Sequence, residues 1–344
     1  MSIIKQHFCY LYIVCVCVCG TLLISPTAMS DELEERRAIF DTVVHDLQTA
    51  NFTHVETLAE YYRASQERSP SGVWKLSALD AGVRSMFDPG NRDPEYWAYL
   101  DDYIGDWLKQ YPRSPTAHLA RASMLIHQAW SYRGTGPTDS VNEEDWPPFN
   151  EHIERARTTL EDTKPIAARD PQWYVTMAVV AMSQHWPEEQ FREMLEEGLS
   201  RYPDYYPIYY SAVDYYAPKW NGSADAIEQF ATEAVERTRD REGSGLYALL
   251  YWHASQIQYD DRLVKDSRVN WPLMKKGIDD VLERYPDQWN INNFARISCL
   301  AEDKGKANEL LGRIESPIEE AWGDLDELSR CQRWATSAEP VAAR

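Results

Sequence analysis

The stretch GLSRYPDYYPIYYSAVDYYAPKW, residues 198–220, holds the end of one helix, a stop, and the whole of the next helix. Ahead of the stop, Phe191, Met194, Leu195, Leu199 and Tyr202 are spaced by three and four, the period of an amphipathic helix. Pro203 cannot continue that helix and restricts Tyr202 before it, so the Tyr-Pro pair closes one element and opens another. The new helix is expected from about Tyr205, with Pro207 tolerated in its first turn, to just before Pro218. Along it Tyr205/Tyr206, Tyr209/Tyr210, Ala212/Val213 and Tyr215/Tyr216 recur in near-four steps and make two adjacent apolar faces. A helix buried on two sides sits between neighbours, its own hairpin partner and the preceding hairpin. The seven tyrosines from Tyr202 to Tyr216 are compatible with two uses: packing with hydroxyls at the layer edge, or an aromatic surface for a ligand.

The same stop occurs twice more, in WLKQYPRS (107–114) and VLERYPDQ (281–288), each after an apolar set in helical steps and before a further helix. A fourth junction, RDPQWYVTMAVVAM, offers Asp170 as N-cap and Pro171 at the first helical position. Pro171 and Pro203 lie 32 residues apart, near the ~34-residue tetratricopeptide period. The repeating unit is a helical hairpin, and the fold expected is all-α: a right-handed, tetratricopeptide-like stack of hairpins with capping helices at both ends. The boundaries read from the pattern are an N-terminal helical region over 31–94, repeats over 95–315, a C-terminal capping helix over 316–335 and a free tail over 336–344.

Residues 1–30 have the grammar of a secretory signal: Lys5, an apolar run from Phe8 to Ile24, then small residues with Ala28 and Ser30 ahead of Asp31. The run is shorter than the ~20 residues of a comfortable membrane span, which favours cleavage before Asp31 over a retained anchor. A periplasmic or secreted protein is expected, touching membrane only if that segment stays. Four cysteines lie inside the signal, leaving Cys299 and Cys331, and export makes one disulfide between them the expectation. The 55 acidic residues outnumber 35 basic ones, for a net charge of −20, which argues against nucleic acid and favours a basic partner.

No catalytic, metal or cofactor signature emerges. The histidines include no HExxH pair, and NEHIER lacks its second histidine. EGSGL around Ser244 is not a nucleophile elbow, and YRGTGPTD lacks the strand and lysine of a phosphate loop. A catalytic acid pair cannot be singled out among so many carboxylates. Candidate binding residues are therefore aromatic. Trp173, Tyr174, Tyr205, Tyr209, Tyr247, Tyr251 and Trp252 fall on the helices that follow the stops or occupy the equivalent place, which line the concave side of such stacks. Trp130, Arg133 and Trp220 stand at hairpin tips.

The landmarks YPRSPTAHLARA, AWSYRGTG, APKWNGS, WPLMKKGIDDVLERYPDQWNINNFARISCLAED and CQRWA together resemble an uncharacterised bacterial family, domain of unknown function 4034. The resemblance covers roughly residues 50–335 and implies a helical, tetratricopeptide-like architecture without an activity to carry over. The function expected is a non-enzymatic scaffold without a cofactor, holding a peptide or protein partner along its concave aromatic face. The alternatives are a cell-envelope hydrolase and an immunity-type protein that neutralises one cognate partner.

Overall fold

The structure is a computed structural model that describes residues 31–220 and 222–337, so the expected signal segment and residues 338–344 of the expected tail lie outside the described residues. It is all-helical, with no β-strand among the described residues beyond one isolated bridge, Arg68 to Trp74. The N-terminal helices are α1 (Glu32–Gln48), α2 (Phe52–Ser65) and α3 (Leu76–Arg84). Next come α4 (Pro94–Gln110), α5 (Pro115–Arg133), α6 (Trp146–Ala167), α7 (Gln172–Ser183), α8 (Glu188–Arg201), α9 (Tyr206–Tyr216), α10 (Ala224–Glu242) and α11 (Gly245–Ala254). The chain finishes with α12 (Leu263–Asp266), α13 (Trp271–Arg284), α14 (Gln288–Leu300), α15 (Lys304–Leu311), α16 (Glu319–Trp322) and α17 (Leu325–Thr336).

The three Tyr-Pro stops fold alike. Tyr111, Tyr202 and Tyr285 cap α4, α8 and α13 with φ of −128°, −133° and −129° and ψ of 68°, 62° and 69°. Each returns its N–H to the carbonyl four residues back, on Trp107, Gly198 and Val281, before proline ends the ladder. The following helix is then capped afresh where a polar side chain is available: Ser114 accepts from Ala117 N at 2.9 Å and Asp287 from Trp289 N at 2.7 Å. At the fourth junction Asp170 Oδ1 accepts from Gln172 N at 2.9 Å.

Two rows result. Helices α5, α7, α9, α11 and α14 touch in succession and form an inner row, while α4, α6, α8, α10 and α13 each pack on an inner neighbour. The inner sequences QWYVTMAVVAMS and GLYALLYWHA are apolar almost all round, as helices covered on several sides must be. The outer ones, such as EEQFREMLEEGLSR, keep a charged face for solvent.

The far side of the inner row is covered by the N-terminal region. Gln66, in the left-handed conformation, ends α2 and turns the chain into a hairpin-like tongue, ERSPSGVWK (67–75), tied by Ser69 N to Val73 O and Lys75 N to Glu67 O. The tongue reaches the inner row at several points. Arg68 donates to the carbonyl of Asp204 at 3.2 Å and lies 4.9 Å over the Tyr206 ring. Ser71 O accepts from Asn290 Nδ2 at 3.2 Å, and Trp74 meets Tyr205 edge-on at 5.3 Å.

The C-terminal cap departs from the single helix expected over 316–335. Gly323, at φ +80°, breaks it into α16 and α17. The break leaves Leu325 45 % exposed, whereas Ile318, Trp322, Leu328 and Cys331 are buried. Cys299, near the end of α14, and Cys331, in α17, stand with Cα atoms 5.9 Å apart and their sulfurs at bonding distance.

Candidate functional site

Six of the ten aromatic and cationic candidates are core residues. Trp173, Tyr174, Tyr205, Tyr209, Tyr247 and Tyr251 are all buried, so none of them lines an open face. The expectation of an aromatic concave surface failed because two layers cover the inner row, and large rings are what fill the space between layers. Their polar tips are consumed inside the protein. The Tyr247 and Tyr251 hydroxyls both reach Glu228 Oε2 on α10, that of Tyr174 donates to Glu197 Oε1 on α8 at 2.8 Å, and that of Tyr209 donates to Pro203 O at 3.0 Å. The Trp173 indole donates to Leu160 O at 3.0 Å. Burial, followed by the Glu228 carboxylate, holds the Tyr251 hydroxyl far above its ordinary range, so it stays a neutral donor.

Three others do come together. Trp130 meets Trp220 edge-on at 6.0 Å, and the Arg133 guanidinium lies 5.0 Å from the Trp130 ring and 5.8 Å from Trp146. The aromatic box at this tip is thus occupied by the chain's own arginine, which also donates to the carbonyls of Gly134 and Gly136. The cluster pins the loop between α5 and α6.

Trp252 is the exception among the inner-row candidates. It is half-buried and lines a partly open cavity of about 540 Å³ walled by α1, the tongue, α3, and the inner helices α9, α11 and α14. This is the size of a small-molecule site. Its indole donates to Asn293 Oδ1 at 2.9 Å, and its ring stands 6.3 Å from Trp289 and 6.3 Å from Tyr210. Trp74 of the tongue adds a third indole to the wall.

Glu32 lies in the first turn of α1 and is fully buried. Its Oε2 accepts from Ser71 N at 2.9 Å, whereas its Oε1 has only Arg36 Nε at 3.8 Å. Arg36 in turn lies 5.9 Å over Trp289. Lys75 holds Glu35 at 2.6 Å and also Glu67; burial opposes its charge, but these two hydrogen bonds outweigh it and raise its pKa. Arg84 is held by Asp80 at 2.7 Å, and the Asp80 charge is the chief reason that its pKa is raised.

Glu32, Arg36, Trp74, Tyr210 and Trp289 were absent from the candidates read off the sequence. The one local signal was the SPSG turn of the tongue, with Arg68 before it and Trp74 after it. Among the described residues no group of three or more His, Cys, Asp or Glu side chains is arranged to hold a metal ion, and no helix is long and apolar enough to cross a membrane. Comparison with protein-family models, with curated proteins and with solved structures finds no match.

Proposed function

We propose that this protein is an exported, non-enzymatic binding protein, built as a right-handed, tetratricopeptide-like stack of hairpins, whose ligand seats in the cavity beneath α1. One observation carries the reading. Three side chains that line this one cavity each keep a buried polar atom without a hydrogen-bond partner: Glu32 Oε1, Trp74 Nε1 and Tyr210 Oη. These are three of ten such atoms among the described residues and have almost no accessible surface; each costs about 1–3 kcal/mol while unpaired, so their meeting in the walls of one space supports a site that a ligand completes as those side chains shift. A peptide laid along the inner row is the less favoured occupant, because the tongue and α1 already cover that face.

A hydrolase draws less support. The two carboxylates lining the cavity, Glu32 and Asp41, stand nine residues apart on α1, so their Cα atoms are separated by about 13 Å along the helix. Glu32 is moreover fully buried, with Oε2 already accepting from Ser71 N, which leaves Asp41 without a second acid free to act beside it.

Thermal-shift screening of a small-molecule library against the wild type and Ala81→Phe tests the site. Ala81 lines the cavity, and a phenylalanine ring there would take up part of it. Compounds that stabilise only the wild type support the reading; compounds that act equally on both proteins, or none at all, overturn it. Export is tested separately by N-terminal sequencing of the protein from its host. Asp31 as first residue supports it and an intact Met1 or Ser2 overturns it.

A further inference from the structure

We infer that the ligand of this cavity is a small apolar zwitterion, an α-amino acid or dipeptide with a large hydrocarbon side chain; the inference rests on the binding-protein reading above. The charges around the cavity fall into two sets. Lys75 is held by Glu35 and Glu67, Arg84 by Asp80, and Arg36 lies between Glu32 and the face of Trp289. Arg37 and Asp41 make up the second set. Both are exposed, line the cavity and, among the described residues, have no ion-pair or hydrogen-bond partner for their side chains. They stand four residues apart on α1, about 6 Å along its axis. At that spacing the two can reach each other, but an exposed pair of this kind is weak, so a ligand carrying both charges replaces it at little cost.

Other charge types fit this mouth less well. A simple anion is drawn to Arg37 and repelled by Asp41 one turn away, a simple cation meets the reverse, and an uncharged ligand leaves both groups to water. An amino acid or dipeptide carries a carboxylate and an ammonium close together. Arg37 can then hold the carboxylate through its planar fork while Asp41 accepts from the ammonium. The deeper wall sets the body of the ligand. Leu33, Phe40, Ala78, Leu249, Trp252 and Phe294 line it with hydrocarbon and ring surface, and covering that surface favours a large apolar side chain. The amides nearby are already engaged: Asn293 Oδ1 accepts from the Trp252 indole, and Asn290 Nδ2 donates to the carbonyls of Ser71 and Tyr285. Glu32 Oε1, Trp74 Nε1 and Tyr210 Oη have almost no accessible surface and by themselves select no class of ligand.

Isothermal titration of the full chain with L-phenylalanine and L-leucyl-L-phenylalanine tests the inference. Phenylpropionate, phenylethylamine and glycine serve as partial probes that lack the ammonium, the carboxylate and the hydrocarbon body in turn. The result expected is that at least one of the two zwitterions binds with a Kd of about 1 mM or tighter and every partial probe at least roughly tenfold more weakly. The tighter of the two tells a free amino acid from a dipeptide. Arg37→Met and Asp41→Asn, both at exposed positions, should each weaken the zwitterion roughly tenfold, and Ala81→Phe should weaken it through the apolar body. A partial probe that binds as tightly as the zwitterions, and more weakly in Ala81→Phe, overturns the zwitterion and leaves the binding-protein reading standing. Zwitterion binding that neither Arg37→Met nor Asp41→Asn changes overturns the assignment as well. Binding by none of these probes overturns it too, and the library screen then decides the broader reading by itself.

Discussion

Arg63 of α2 donates to Asp170 Oδ2 at 2.9 Å, with only 7 % and 4 % of the two side chains exposed. The pair joins the N-terminal helices to the head of α7, and Thr116 on α5 accepts a second bond from the same guanidinium nitrogen at 2.8 Å. Burial pushes the Asp170 carboxyl above its usual range even though Arg63 pulls it down. Arg63→Ala leaves the Asp170 charge buried and unpaired and should cost about 3–5 kcal/mol, whereas Asp170→Ala should cost less, because Arg63 keeps Glu60 at 3.3 Å and Thr116 at 2.8 Å. The apolar double variant Arg63→Met/Asp170→Leu should recover part of that loss. Urea denaturation of the four proteins checks this; equal destabilisation in all three variants would remove the coupling.

The tyrosines of the inner row behave as core residues in a second prediction. Tyr209→Ala should destabilise by about 3–5 kcal/mol, since a ring with no exposed surface is replaced by a void. Tyr251→Phe keeps the ring and deletes only the bond to Glu228, which still receives Tyr247, so a loss of about 1–3 kcal/mol is expected. Thermal melts decide the point, and unchanged melting temperatures would return these residues to a binding surface.

The helices were readable because their signals are local. Proline after Tyr111, Tyr202 and Tyr285 forces nearly the same φ and ψ at all three stops, whatever lies around them. The cavity was not readable, because its walls are set by contacts between residues far apart in sequence: Arg68 with Asp204, Ser71 with Asn290, Arg36 with Trp289. No period or motif near Trp74 says that its ring will sit against Tyr205. Tyr205 and Tyr209 were candidates because aromatic composition is ambiguous between core and surface. Only the layer on the far side of the row resolves it. The expected C-terminal helix failed at Gly323, where the apolar period continues across a glycine that breaks the backbone.

A third prediction concerns acid. Asp303 caps α15 by accepting from Lys306 N at 3.0 Å, and it also receives Trp271 Nε1 and Lys275 Nζ, each at 2.9 Å. The backbone bond first, then the indole and the ammonium, hold its carboxyl at about 2 against an ordinary 3.8. A carboxylate with a depressed folded pKa contributes stability above its unfolded value and loses it as pH falls through the folded one, here between ~4 and ~2. Asp303→Asn keeps a capping oxygen but cannot titrate, so its stability should fall less steeply than that of the wild type across this window. Urea midpoints at steps of pH check the difference in slope; parallel curves would rule the group out.

The disulfide gives a fourth. Cys299 and Cys331 are 32 residues apart, and closing a loop of that length contributes about 3–4 kcal/mol in the chain-entropy account. Helix α17 is also held by Asn308 Nδ2 to Ala335 O at 2.9 Å and by Lys304 Nζ to Ser337 O at 3.0 Å. Cys331→Ala should therefore fray α17 ahead of global unfolding, and hydrogen exchange should rise there first. Exchange rising uniformly over the chain would contradict it, and so would two alkylatable thiols in the unreduced protein.

Gly72 at the tip of the tongue gives the fifth. Its φ is +96°, and a Cβ built there would lie 2.7 Å from the Tyr285 ring, the same tyrosine that stops α13. Gly72→Ala therefore meets two obstacles, a left-handed backbone that costs an L-residue about 1–2 kcal/mol and a ring in its way. The ring is removable: Gly72→Ala/Tyr285→Ala relieves the clash and leaves the backbone strain. The single Gly72→Ala variant should loosen the tongue without unfolding the two rows, since the helices beneath it keep their partners in the outer row. Trypsin should then cut after Arg68 many times faster than in the wild type, while far-UV circular dichroism stays near the wild-type signal. The double variant should show intermediate cleavage. Cleavage at Arg68 unchanged from the wild type would mean that the tongue is not anchored through this contact, and the cavity it helps to close would then need a different wall.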